Sequence, residues 1–353
     1  VYGAKYGWER ANWFALAGVE AKDDITFEIP NWFEHVAEEH RNARENVVLI
    51  DQSSFCKFEV EGAGALDFLN RLCANQIDRP VGKVIYTQMC NERGTIECDM
   101  TIGRLADPDD GTVFLKEMTS AYAVINVIGP KSRALLEKTT SADLSNNSFS
   151  FGTCKSFTVG YAPILSFRVT YVGELGYELY IPTEFAAHVY ETLWQAGEEF
   201  GIKNAGYRTI ASTRLEKGYA DWSSELTPEY TPFDAGLAFC VDLGKKDFIG
   251  KEALVKIKVE GAKFRLCSFV IDAGRPLMIQ GSAPIIHEGK VVAVTTSAGY
   301  GHTIGKNICY GYLPIEKASL KDGFEIESYK ERYPAKIEPS RVLYDPERKK
   351  ILV

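Results

Sequence analysis

The chain has 353 residues, 45% hydrophobic and 25% charged, a composition that fits two or three globular domains and excludes a mainly disordered, collagen-like or coiled-coil protein. Forty basic against 48 acidic residues give a net charge of −8, which speaks against a general nucleic-acid binder, and no apolar run is long enough to span a membrane. Eight cysteines without a C-x-x-C pair and five histidines without H-E-x-x-H spacing point to no metal site and to a reducing compartment.

In chain order, residues 1–45 are rich in aromatics and charge, and read as an extended arm on the surface followed by a helix over 32–46, with His35 and His40 in solvent. The chain begins at Val1 without a charged-then-apolar leader, which reads as a processed chain or a piece of a longer one. Strands are expected over 47–51 and 55–60, then an amphipathic helix over 64–73 with Ala65, Phe68, Leu69 and Leu72 on its apolar face. Residues 84–90 and 95–105 form a hairpin around the turn 91–94, and Pro108 to Gly111 make a second turn before a strand over 112–115. Residues 167–171 and 177–181 form another hairpin. Thr183 caps a helix over 184–200 closed by Gly201, and helices follow over 207–219 and 248–258. From residue 265 short strands recur (266–272, 283–287, 290–296, 307–313, 323–329), the pattern of a small all-β domain. The expected class is α+β in three parts: an arm over 1–45, interleaved α+β domains over 46–260, and a barrel over 261–353.

Three places carry candidate chemistry. Alternation along 96–102 sets Glu97, Asp99 and Thr101 on one face and Ile96, Cys98, Met100 and Ile102 on the other; the polar face either lines a cleft, where Asp99 would hold a cationic amine, or meets solvent. In the run Tyr171 to Glu178 two glycines bracket a turn, and Glu178 emerges beside Tyr177 and Tyr180. That carboxylate either takes the aminopyrimidine edge of a pterin between aromatic faces or is a charged hairpin tip. Tyr207, Arg214 and Lys217 fall on one side of a helix, facing either an anionic ligand or structural partners. No phosphate-binding glycine loop and no G-x-S-x-G elbow is present.

These motifs, in this order and followed by Asp247, Phe248, Ile249, Gly250 and Lys251, resemble the folate-binding aminomethyltransferase family typified by the T-protein of the glycine cleavage system. The similarity runs along essentially the whole chain. It is nearer to one branch, the C-terminal half of sarcosine and dimethylglycine dehydrogenases, through Lys5 to Phe14, residues 201–219 and residues 230–239. The resemblance implies the three-domain cloverleaf fold with a C-terminal β-barrel. It implies that Asp99 is the catalytic aspartate facing folate N5, that Glu178 pairs with the pterin, and that Tyr86, Tyr177 and Arg214 stand at the folate site. The implied cofactor is tetrahydrofolate, with FAD on a flavin domain outside these residues, and the implied substrate is an N-methyl amine oxidised to its iminium. It implies a mitochondrial matrix location. It also implies a helix-containing segment between a strand ending at Leu115 and one over 123–128, for which residues 116–119 leave no room. Two other roles fit the same resemblance. Ser54 to Glu59, with residues 180–182 and 188–190, is similar to the non-catalytic regulatory subunit of pyruvate dehydrogenase phosphatase, and a stand-alone aminomethyltransferase would share the fold.

Overall fold

The computed structural model describes residues 1–106 and 113–353, so the expected turn at Pro108 to Gly111 and the residue Thr112 lie outside the described residues. In chain order the elements are β1 (Tyr2–Lys5), β2 (Trp8–Ala11), α1 (Phe33–Glu45), β3 (Val48–Asp51), β4 (Phe58–Glu61), α2 (Ala65–Leu72), β5 (Val84–Cys90), β6 (Ile96–Gly103), β7 (Phe114–Glu117), β8 (Tyr122–Ile128) and α3 (Ser132–Glu137). Next come β9 (Cys154–Val159), β10 (Ala162–Phe167), β11 (Gly176–Pro182), α4 (Ala186–Gly197), β12 (Lys203–Asn204), α5 (Tyr207–Lys217) and α6 (Lys251–Glu260). The last six strands are β13 (Phe264–Ile271), β14 (Pro284–His287), β15 (Lys290–Gly301), β16 (Lys306–Pro314), β17 (Phe324–Ser328) and β18 (Glu331–Ile337).

A six-stranded sheet in the order β12-β3-β8-β11-β10-β9 forms the centre; only the β12–β3 pair is parallel. Strand alternation gives it two apolar faces. Leu49, Val127, Tyr177 and Leu179 pack with Leu135 and Leu136 of α3 and Val189 and Leu193 of α4. On the opposite face Val48, Ile50 and Ile128 pack with Ala43 of α1 and Ile210 of α5. Two antiparallel ribbons, β4–β7 and β5–β6, stand beside the sheet, and β13 to β18 close a barrel with its own core around Phe269, Ile285 and Ile326.

Helix α5 is the axle of the molecule. Its last four residues, Arg214, Leu215, Glu216 and Lys217, are all buried. Leu215 packs on Ile308, Tyr310 and Tyr312 of the barrel, and the Tyr310 hydroxyl donates to the Leu215 carbonyl at 2.6 Å. Helix α6 closes against the β5–β6 hairpin: Gly250, at φ +85°, sits so near Asn91 that an added Cβ would stand 2.4 Å from the Asn91 carbonyl oxygen, which only glycine allows.

Several local expectations change. The arm does not merely lie on the surface, because Trp13 is fully buried, stacks on His35 at 5.0 Å and donates from Nε1 to Asp23 at 2.7 Å. His40 is buried, not solvated: it bonds Ser212 at 2.8 Å and Thr303 at 2.6 Å. On α2 the apolar side is Ala65, Leu66, Leu69 and Leu72, whereas Phe68 is exposed. Residues 168–171 lie beyond the end of β10, and the buried Arg168 guanidinium donates to Asn146 and to the Phe149 carbonyl. Thr183 donates to the Ser120 carbonyl instead of capping α4. Between β7 and β8 there is only the single 3-10 turn Thr119–Ala121.

Candidate functional site

Asp99 lies mid-strand on β6, directly across from Gln88 of β5, while Tyr86 pairs with Thr101. Cross-strand partners and residues two apart share a face, so Asp99, Gln88, Tyr86 and Thr101 look the same way. Gln88 donates from Nε2 to Asp99 Oδ1 at 2.8 Å, and the Tyr86 hydroxyl also bonds the carboxylate. Burial raises the Asp99 pKa above the ordinary carboxylate value, with Tyr86 and Gln88 pulling it back and Asp221 adding to the rise. The other face carries Met100 and Ile102 into the apolar contact with α2. The expected alternation breaks at one end. A register shift between Met89 and Cys90 leaves Glu97 unpaired, so Ile96 leaves that face and is buried beside Leu215 and Tyr310.

Tyr171, on the β10–β11 connection, lies near this face. Its hydroxyl donates to the Ala220 carbonyl at 2.6 Å, its ring stacks on Tyr219 at 5.9 Å, and its electrostatic surroundings are Arg214, Asp221, Glu225 and Asp99. Arg214 is thus beside the site, but its guanidinium is occupied: it donates to Glu225 at 3.0 Å, to the Tyr219 carbonyl at 3.2 Å and to Ser297 at 2.6 Å. Lys217 is likewise paired with Asp345 at 2.7 Å. Both cations are thus engaged in structural ion pairs, one of the two readings open for this helix side.

Glu178 stands on β11 with Asn126 of β8 on one side and Phe167 of β10 on the other, all on the α5-facing side of the sheet. Tyr180 donates to Glu178 at 3.0 Å and packs on Phe167 with ring centres 4.8 Å apart. Burial pushes the Glu178 carboxyl up to about 7. Asn126 donates from Nδ2 to Gln52 at 2.7 Å, which leaves its buried Oδ1 without a partner. The ribbon carrying Asp99 ends on this same face: an added Cβ on Gly103 would be 2.3 Å from the Phe167 ring. By strand rise, Asp99 lies about 13 Å up the ribbon from that contact.

Tyr177 is a correction. Its neighbour Glu178 faces the site, so period-two alternation turns Tyr177 to the other face. There it is fully buried in the α3–α4 core, and its hydroxyl accepts from Arg133 at 3.1 Å. Asn126, Gln88, Tyr171 and Asp221 were not singled out from the sequence. Gln88 and Tyr86 share one strand face, and that spacing is the signal that points to Gln88; nothing local marks Asn126, which register alone sets beside Glu178. Among the described residues no group of three or more His, Cys, Asp or Glu side chains is placed to hold a metal ion.

Comparisons with known proteins show the family and the fold. The family model described as the GCVT N-terminal domain matches residues 1–109 and 107–245, and the glycine cleavage T-protein C-terminal barrel domain matches 265–345. The chain is 36% identical over 375 residues to 4-methylaminobutanoate oxidase (formaldehyde-forming) of Paenarthrobacter nicotinovorans, covering 99% of this chain and 45% of that protein. It is 34% identical over 371 residues to mitochondrial dimethylglycine dehydrogenase of Mus musculus, covering 98% of this chain and 42% of that protein. The chain thus spans under half the length of these relatives. The crystal structure of the glycine cleavage aminomethyltransferase T of Bartonella henselae superposes with a TM-score of 0.81 at 21% identity, over 97% of this chain and 94% of that one, which shows a shared fold.

Proposed function

The chain belongs to the folate-binding glycine cleavage T-protein family, and from that premise we propose that it is the one-carbon-transfer part of a flavin-dependent N-methylamine dehydrogenase of the sarcosine or dimethylglycine type. In this reading the flavin domain of the same protein oxidises the amine, in the mitochondrial matrix, and this chain passes the released methylene group to tetrahydrofolate, giving 5,10-methylenetetrahydrofolate.

One observation carries the reading. Asp99 and Glu178 are half-buried carboxylates that, among the described residues, are held only by uncharged side-chain donors: Gln88 and Tyr86 for the first, Tyr180 for the second. The buried carboxylates with structural duties are different: Glu216 and Glu225 each face an arginine, Arg44 and Arg214, at 3.0 Å, and Glu39 and Asp234 each accept from two backbone amides and a threonine hydroxyl. A buried charge without a countercharge costs stability and is retained where a ligand supplies the missing partner.

The donor set fits a folate. Glu178 and the unpartnered Asn126 Oδ1 present two adjacent acceptors, complementary to the two N–H groups of an aminopyrimidine edge. Phe167 and Tyr180 offer aromatic surface beside them. When bound, tetrahydrofolate supplies the secondary amine that receives the one-carbon unit. Glu178 and Asn126 bind and orient the pterin; Asp99, aligned by Gln88 and Tyr86, stabilises positive charge on the incoming iminium. Tyr171, held by the Ala220 carbonyl, stands near Asp99 and adds aromatic surface beside it. Arg214 acts through Glu225 and the Tyr219 carbonyl, ordering the 219–225 segment on which Tyr171 rests.

The test is transfer itself. With the oxidised N-methyl amine generated in place, tetrahydrofolate present and free formaldehyde trapped, Asp99→Asn should form methylenetetrahydrofolate about 100-fold more slowly than the unaltered chain, the scale of losing one preorganised electrostatic group. Equal rates for the two proteins would remove Asp99 from the reaction.

A further inference from the structure

Lys245 lies outside the site described above and just ahead of the motif Asp247 to Lys251, which that site leaves without a role. It is 6% exposed, and its ammonium meets no carboxylate at ion-pair distance among the described residues. It donates instead to three backbone carbonyls: Asn70 at 2.7 Å, Cys73 at 2.6 Å and Asn75 at 2.8 Å. Those are all the N–H donors a lysine has. The Phe248 ring lies 5.2 Å away. The three carbonyls gather at the C-terminal end of α2, where helix carbonyls lack intrahelical partners and the dipole favours a cation.

The caged loop is in turn stitched to β5. The Ala74 N–H donates to the Gln88 carbonyl at 2.9 Å, and the Asn75 N–H donates to Thr87 Oγ1 at 3.1 Å. Asn75 Nδ2 donates to the Tyr86 carbonyl at 2.9 Å, and Cys73 bridges to Met89. Tyr86 and Gln88 are the residues whose side chains hold Asp99. We propose that Lys245 is a positioning residue for Asp99: its ammonium fixes residues 73–75, and through them the backbone of the strand that aims Tyr86 and Gln88 at the carboxylate. The importance of this rests on the role given to Asp99 above, but the contact chain stands without folate.

Chemical rescue tests it on the whole chain. Carboxyl-carbon NMR, with Asp99 identified by its loss in Asp99→Asn, reads the titration midpoint of Asp99 without any folate. Lys245→Ala should move that midpoint by about half a pH unit or more, because the hydrogen bonds that tune it are disturbed. Propylammonium, which replaces the deleted atoms, should return it toward the original value. Asn75→Ala, which keeps the lysine and cuts the side-chain link to Tyr86, should move the same midpoint in the same direction, and it carries the test if Lys245→Ala does not fold. An Asp99 midpoint unmoved in both variants, whatever happens to the melting temperature, would make Lys245 a cap of α2 and nothing more. Because the readout is the carboxyl resonance, this outcome is separate from any failure of tetrahydrofolate to bind.

Discussion

Glu178 sets function against stability at a single residue. Its folded-state pKa of about 7 lies above the ordinary value of 4.5, so the folded chain holds a proton there that the unfolded chain has released. Stability is therefore lost as pH rises from about 4.5 through 7. Glu178→Gln removes that loss: at pH 8 the variant should be more stable than the unaltered chain by roughly 1–3 kcal/mol, and the difference should vanish by pH 4. Denaturant titrations at the two pH values check it; a variant less stable at pH 8 would show that the carboxylate has a structural partner. A stabilising change that abolishes binding is the mark of a residue kept for its ligand. Asp99 and Glu178 stand out in the sequence because each is an acidic residue of an alternating strand inside a motif, whereas Tyr86 is marked only by the family resemblance. Tyr177 was misplaced although it is next to Glu178, because a motif match carries no facing and strand alternation does. His40 and Arg214 sit among charged neighbours in sequence, and only tertiary packing reveals that Glu216 and Glu225 lie against them.

At the scale of elements, α1 and α5 are joined by charge as much as by apolar contact. Arg44 of α1 reaches Glu216 at 3.0 Å and Glu174 at 3.4 Å, donates to the Val172 carbonyl at 2.8 Å and lies over the Tyr344 ring. Burial alone would raise Glu216, but His40, Arg44 and the Thr303 amide hold it down to about 2. Burial keeps His40 itself lowered and neutral at pH 7, so the charge on Glu216 is met chiefly by Arg44. A depressed carboxylate contributes stability above about pH 4.5 and loses it as pH falls toward 2. Arg44→Met should cost about 3–5 kcal/mol at pH 7, since it strands two buried carboxylates, and the cost should shrink below pH 4 as they protonate. A cost independent of pH would assign the loss to packing. The β5–β6 hairpin was legible from its alternation and its turn residues. The polar spacing of helix α5 mimics an exposed stripe, whereas Arg214, Glu216 and Lys217 are buried against partners from elsewhere in the chain. Strand β18 was missed because Pro334 interrupts a run with few apolar residues; its carbonyl nevertheless accepts from the Asp272 N–H at 2.9 Å.

At the scale of the whole molecule, the sheet, the β5–β6 ribbon and the barrel meet on α5, and the candidate site collects residues from β5, β6, β8, β11 and the segment after α5. The α+β class and the terminal barrel were readable from strand spacing and motif order. The way the parts close on each other was not, because the contacts that do it are long in sequence and mostly polar. The barrel supplies Ser297 to Arg214, the Thr303 amide to Glu216 and the Tyr310 hydroxyl to Leu215. Residues 1–260 alone should therefore show no cooperative thermal transition, as α5 would lose its apolar cover and leave buried charges unpartnered. A sharp transition from that fragment would show that the barrel is an independent attachment. The central claim, that this fold holds a folate through Glu178, is tested most directly by calorimetric titration of the whole chain and of Glu178→Gln with tetrahydrofolate. The account predicts binding near micromolar for the unaltered chain, weakened at least tenfold in a variant that melts no lower at pH 8. Equal affinity in the two proteins, or no binding by the folded unaltered chain, would contradict it.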